Sequence, residues 1–201
     1  KESLTHSQLT TPQVDRTATQ ASNLAHNQIP SELDWVHKNE LSAEQRSALP
    51  DNCCGTYVDP LAHLNVAENE SALSETVFVS DSGLSQLTQN LITIKGNVRV
   101  QQGNRYIFND ANTSIDQESD VVLMDGNIVF REPGILMLGS SAYIDSENSI
   151  NRIEDAQYAL HNYGAHGSAN SIVYTADSGL VSIENGEFSR CEPGDSFWKL
   201  R

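Results

Sequence analysis

The stretch Leu91–Phe108, LITIKGNVRVQQGNRYIF, decides how the rest of the chain is read. Ile92, Ile94, Val98 and Val100 share one parity, and Thr93, Lys95, Asn97 and Arg99 share the other. A period of two belongs to a strand with one face buried. Gly96 sits in the middle of this run. Gln101-Gln102-Gly103-Asn104 breaks it, and Arg105 to Phe108 resumes it. The simplest reading is strand, turn, strand, with Gly103 free to take the positive φ that tight hairpin turns use.

The same unit returns. MDGNIVFREPG starts at Met124 and ENGEFSRCEPGD starts at Glu184. Gly126 lies 30 residues after Gly96, and Gly186 lies 60 after Gly126. A worn copy belongs near residue 156, where EDAQYALHNYG carries Ala156 in the glycine's place. The second glycines, Gly103, Gly134, Gly164 and Gly194, are spaced by 31, 30 and 30 residues. This period suits a pair of strands with their turns, one rung of a stacked sheet.

The totals narrow the function classes. The chain has 201 residues, enough for one domain with a core, and a formal net charge of −15. That charge argues against a nucleic-acid partner, whose phosphates need a basic footprint. No apolar run reaches the roughly 18 residues of a membrane-spanning helix, and no signal peptide is visible. The cysteines are Cys53, Cys54 and Cys191. An odd number leaves at least one without a partner inside this chain, and adjacent cysteines rarely bond to each other. Either of the first two can reach Cys191, or each can bond to something outside this sequence.

Residues 1–30 are rich in Ser, Thr, Gln and Asn and read as a flexible tail. Residues 31–75 form an N-terminal arm. Leu33, Trp35 and Val36 make a small apolar knot suited to docking. Ser42-Ala43-Glu44-Gln45 is a capping box that opens a short helix, Ala43 to Leu49, stopped by Pro50. Cys53 and Cys54 follow in an irregular segment that reads as an anchor point, and a polar linker closes the arm. From residue 76 to 201 no helical period occurs. Short β-prone runs begin with Thr76-Val77-Phe78-Val79, which opens the sheet. They continue through Thr113–Ile115, Val121–Met124, Ile135–Leu138, Ala142–Ile144, Gln157–Leu160, Ile172–Thr175 and Leu180–Ile183. This is an all-β body: a sandwich, a jellyroll or a solenoid.

Catalytic chemistry is hard to find. His161 and His166 flank Gly164 and read as a solvated loop pair; a metal pair would need added carboxylates, whose positions sequence does not supply. Asp110, Asp116, Asp120, Asp125 and Asp145 lie near turns, where turn chemistry accounts for them. Asn112-Thr113-Ser114 fits a glycosylation acceptor. No nucleophile elbow, phosphate loop or zincin helix occurs, and no cofactor site is read.

The run Gly186–Leu200, with Cys191, Pro193-Gly194 and Trp198, resembles the periplasmic N-terminal portion of the LPS-assembly outer-membrane proteins of Gram-negative bacteria. Ile94-Lys95-Gly96-Asn97-Val98 with Gln102-Gly103 matches the family's repeated unit. Asp34-Trp35-Val36, ahead of Cys-x-Gly-x-Tyr-Val-Asp-Pro, matches as well. The likeness covers roughly residues 33–201. It implies an OstA-like β-jellyroll of stacked short antiparallel strands over residues 76–201, on the periplasmic side of the outer membrane. It further implies a barrel that would follow in the chain and a lipoprotein that would plug the barrel. The jellyroll would take lipopolysaccharide from the periplasmic bridge protein. Two cysteines of the family bond to the barrel. Cys191 matches one, and Cys53 matches the other if Gly55 and Tyr57 set the register, while the extra Cys54 leaves that assignment open.

The candidate lipid path is the inner-parity set Ile92, Ile94, Val98, Val100, Val122, Met124, Ile128 and Phe130. By pattern alone these residues either fill a closed core or line a groove for acyl chains, and the resemblance favours the groove. Two other readings are a structural or adhesive β-module of the cell envelope without a lipid ligand, and a carbohydrate-active solenoid enzyme.

Overall fold

The computed structural model describes residues 33–64 except 52, and residues 76–200 except 82, 83, 87, 176, 191 and 195–199. The expected tail, most of the linker, Cys191 and Trp198 lie outside the described residues. The arm contains β1 (Trp35–His37), helix α1 (Ala43–Ala48) and β2 (Gly55–Tyr57). The capping box is present: the Ser42 hydroxyl accepts from the Gln45 N–H, and the Gln45 side chain accepts from the Ser42 N–H. β1 and β2 pair antiparallel as a sheet of their own.

The body runs β3 (Thr76–Ser80), β4 (Leu84–Gln86), β5 (Leu91–Lys95), β6 (Val98–Gln102), β7 (Arg105–Asn109) and β8 (Asn112–Asp116). It continues with β9 (Val121–Glu132), β10 (Ile135–Asp145), β11 (Ile150–Leu160), β12 (Ala165–Thr175), β13 (Leu180–Glu184) and β14 (Glu187–Ser189). All these strands join one antiparallel sheet, the stacked β-jellyroll that the resemblance implies. The run through Gly96 is two strands rather than one. β5 pairs with β4 and β8, while β6 pairs with β3 and β7. The long strand β9 explains why: its first half pairs with β8 and its second half with β7. Each long strand, or consecutive pair of short ones, is therefore bent near its middle, and the sheet folds into two walls. Wall one contains β3, β6, β7, β14 and the half-strands that flank them. Wall two contains β4, β5, β8, β13 and the remaining half-strands.

The two glycine series have different jobs. Gly103, Gly134, Gly164 and Gly194 all have positive φ and sit at or near the hairpin ends. Gly96 (φ +83) and Gly126 (φ +91) are the corners between walls. In the worn copy the positive φ falls on Asp155 (+49), and in the last on Asn185 (+50). Asp and Asn tolerate that region better than other residues with side chains. Beside Gly126, Asp110 clamps the corner by accepting the Asn127 N–H at 2.8 Å and its side-chain amide at 2.6 Å. A Cβ on Gly126 would stand 2.6 Å from both the Ala111 Cβ and an Asp110 carboxylate oxygen. Gly126→Ala should therefore cost on the order of 2 kcal/mol in urea unfolding, from left-handed backbone strain plus the clash. An unchanged midpoint would show that the corner relaxes freely.

Several local expectations are met. Asp116 and Asp145 cap their own turns through backbone N–H groups. The acceptor pattern at Asn112 falls on a strand, and Thr113 is fully buried with its hydroxyl bonded to Asn109. The histidine reading is overturned. The His161 side chain is 3% exposed, and His166 is buried as well, because the N-terminal arm covers both.

Candidate functional site

Cross-strand register sorts the side chains of the walls into rows. On wall one, Phe78, Val100, Ile107, Phe130, Met137, Tyr158, Gly167 and Phe188 are successive partners across the whole sheet. On wall two, Ile94, Thr113, Met124, Ala142, Ile153, Ile172 and Ile183 form the matching row, with Ile92, Ile115, Val122 and Ile144 beside it. The two walls meet along these rows. Met124, Ile128 and Ala142 form a buried cluster, with Val100, Ile107, Val122, Ile144 and Ile153 packed on it. That cluster draws on both walls, so the rows face one another across the bend.

Of the eight lipid-path candidates, Val100, Val122, Met124 and Ile128 belong to this cluster. Ile94 and Val98 are buried, and Ile92 and Phe130 are half-buried, along the same two faces. Sequence parity missed Ile107, Ala142, Ile144 and Ile153. In the present state the cluster fills its own interior, with Met124 and Ile128 each 2% exposed.

The outer face of wall one carries a second row: Gln101, Tyr106, Arg131, Leu136, Ala159, His166 and Ser189. The arm packs on it. Leu33 and Tyr57 bury against Val129, Leu136 and Ala159, while Leu61 packs on Tyr106. Polar contacts fix the position. Asp34 receives both ends of the Arg131 guanidinium, at 2.6 and 2.9 Å, and the His161 Nε2–H at 3.0 Å. The Tyr57 hydroxyl and His166 Nδ1 share a hydrogen bond, and Asp59 accepts the Gly134 N–H at 2.7 Å. Burial pushes the Asp34 carboxyl up. Hydrogen bonds and charge from Arg131 and His161 outweigh that and hold it below the usual carboxylate range.

The arm also places the cysteine pair. The Lys38 N–H donates to the Cys54 carbonyl at 2.7 Å, leaving Cys54 exposed and Cys53 half-buried. His37 lies opposite Gly55 in the β1–β2 register and reaches Glu192 at 3.6 Å. The chain neighbours of Cys54 and of Cys191 thus approach the same histidine. A cavity of about 410 Å³ opens where the arm meets β12 and β14, lined by Leu33, Gln157, His166 and Glu187 among others. Its wall is mixed polar and apolar, unlike the inner rows. Among the described residues, no group of three His, Cys, Asp or Glu side chains is placed to hold a metal ion.

A family model described as LptA/(LptD N-terminal domain) LPS transport protein matches residues 79–199. The chain is 33% identical to the LPS-assembly protein LptD of Saccharophagus degradans over 86% of its own length and 20% of that protein's. Against the LptD of Hahella chejuensis the figures are 30%, 84% and 21%. The chain spans about a fifth of the length of these curated relatives. Among solved structures it is similar to LptH, the LptA homologous periplasmic component of the lipopolysaccharide transport device of Pseudomonas aeruginosa. That likeness has 16% identity and a TM-score of 0.47, and covers 56% of this chain and 85% of that one. With 79–199 matched in one span, this chain belongs to the LptA/LptD N-terminal-domain family of LPS transport proteins.

Proposed function

We propose that this chain is the periplasmic jellyroll portion of an outer-membrane LPS-assembly protein, and that it is a carrier rather than a catalyst. It would receive lipopolysaccharide from a bridge protein of the same jellyroll family and pass the acyl chains along its inner rows. The receiving barrel, with its plug lipoprotein, would lie in the remainder of the full-length protein. In this reading residues 76–201 conduct the lipid and residues 31–75 are the arm. Cys191, with Cys53 or Cys54, would tether the domain to the barrel. The observation that carries the reading is the pair of facing apolar rows, continuous from the β3 end of the sheet to the β13–β14 end. Each acyl CH₂ sheltered there rather than in water is worth about 0.8 kcal/mol.

Photo-crosslinking residues at Val100, Ile128 and Phe130 should label with lipopolysaccharide during energised transport. Leu123 is the control. It is apolar and 46% exposed, but stands on the odd parity of β9, opposite to Val122 and Met124. Equal labelling at Leu123 would count against a guided interior path. The second reading, a structural module with a permanently closed core, draws on the present packing of Met124 and Ile128. It predicts no labelling at any inner site.

A further inference from the structure

Because the inner rows close on themselves at Met124, Ile128 and Ala142, acyl chains can pass that point only if the walls separate, and the two walls are not equally free to move. From the structure we infer that the arm braces wall one as a fixed half and that the groove opens by movement of wall two. Asp34, Arg131 and His161 act as the positioning residues of the brace. This rests on the lipid-carrier reading.

The asymmetry is one of contacts. The arm touches β7 through Tyr106, β9 through Arg131, the β9–β10 turn through Gly134, the end of β11 through His161 and β12 through His166. Five successive strands are tied from outside by the arm. Undocking the arm would give up the bidentate Asp34–Arg131 pair together with the burial of Leu33 and Tyr57. The outer row of wall two is Ser114, Leu123, Tyr143, Arg152, Val173 and Ser182. Among the described residues, the buried apolar clusters that hold the arm draw on wall one and not on this row. β13, at its end, is exposed along its whole length.

The bend between the walls is confined to a few backbone positions. Gly96 and Gly126 serve as corners, β10 carries a register shift between Gly139 and Ser141, and Asp155 and Asn185 hold positive φ. Hinges are a few residues that absorb a change in φ and ψ while the packed elements stay intact. Wall two can therefore rotate about this line without breaking ladder hydrogen bonds within either wall.

The test uses spin-label pairs in the whole chain, with Cys53, Cys54 and Cys191 replaced by serine. One pair spans wall one (Arg105 and Tyr163), one spans wall two (Gln117 and Asp177), and one crosses the groove (Arg105 and Gln117). Without ligand, the wall-one pair should give a single narrow distance distribution and the wall-two pair a broader one. Lipopolysaccharide in detergent micelles, compared with micelles alone, should lengthen the cross-groove distance and leave the wall-one distance in place. Asp34→Ala should abolish the narrow wall-one peak. Tyr57→Phe, which removes one hydroxyl, should broaden it partially and keeps the test open if Asp34→Ala does not fold. Arg131→Met with Asp34→Leu, an apolar replacement of the pair, should restore it. The inference is overturned if wall one shifts with ligand as much as wall two, or if the brace variants leave its distribution narrow. Failure of lipopolysaccharide to bind at all, read by native mass spectrometry, would instead remove the carrier reading, and the ligand-free comparison would still decide the brace.

Discussion

Arg131→Ala should release the arm and cost about 3–5 kcal/mol, the usual penalty for removing one partner of a buried ion pair. The side chains of Arg131 and Asp34 are only 7% and 11% exposed, so solvent screening relieves little of the loss. Asp34 would keep His161 but lose the charge that offsets its burial. Asp34→Ala should be at least as damaging, because it strands an arginine, which cannot discard its proton. The double replacement Asp34→Leu with Arg131→Met should return most of the stability, since an apolar pair of similar volume avoids the desolvation cost. Trp35 reports on the arm: it packs edge-on against Tyr57, at 5.0 Å between ring centroids. With Trp198 changed to phenylalanine, Trp35 emission should shift to longer wavelength in Arg131→Ala before the sheet signal is lost in circular dichroism. A single coincident transition, displaced by less than about 1 kcal/mol, would mean that the pair contributes only as an exposed one does.

The same cluster sets an acid limit. The Asp34 pKa is depressed in the folded chain, so its contribution to stability is fully present above the unfolded value of 3.8. It is lost as pH falls below 3.8 and through the folded pKa. In Arg131→Ala the burial penalty remains while its main counterweight is gone. Arm release, read by Trp35 emission, should then begin at higher pH than in the wild type. An unchanged acid midpoint would show that His161 alone sustains the carboxylate.

How far the sequence could be read depends on where each strand bends. On the β5–β6 run and in β9, a glycine corner keeps parity. Ile92, Ile94, Val98 and Val100, and then Val122, Met124, Ile128 and Phe130, therefore stay on one count from end to end. In β10 the shift between Gly139 and Ser141 moves the inner face from odd to even numbers, from Met137 to Ala142. The pattern splits there into two short runs, and Ile135–Leu138 and Ala142–Ile144 read as separate strands. Asp155 does the same in β11, between Ile153 and Ala156. The brace was illegible for a different reason. Asp34 and His161 are 127 residues apart, and Tyr57 and His166 are 109 apart. Nothing local marks such pairs, and a histidine beside a glycine turn looks like any loop residue until the arm is laid over it.

Phe78→Pro should weaken docking of a partner strand at the β3 edge at least about tenfold while leaving the sheet nearly intact. β3 ends the strand order and pairs only with β6 among the described strands. Its Val77, Phe78 and Val79 side chains are each nearly half exposed. Register tells which backbone groups are free. Ser80 lies opposite Val98, so Asp81 lies opposite Asn97, and the Asp81 N–H donates to the Asn97 carbonyl at 3.2 Å. Hydrogen-bonded and non-bonded pairs alternate along an antiparallel ladder. Val79 and Val77 therefore bond to β6, and Phe78, opposite Val100, points its N–H and C=O away from β6. Strand addition uses these outward groups. A proline at position 78 removes one outward donor and sets its ring against the incoming strand, yet takes no ladder bond from β6. Loss of one backbone hydrogen bond of about 1 kcal/mol plus the steric block should weaken capture of a jellyroll bridge protein by at least about tenfold. Phe78→Ala, which keeps the N–H, separates the backbone effect from loss of the ring and should weaken capture less. Val79→Pro is the opposite case: it deletes a ladder donor to Arg99, so it should fray β3 itself and lower thermal stability. Capture measured on immobilised bridge protein, beside circular dichroism of each variant, decides the matter. If Phe78→Pro binds as the parent does, the partner uses another edge. If it unfolds as readily as Val79→Pro, the ladder assignment at β3 is wrong.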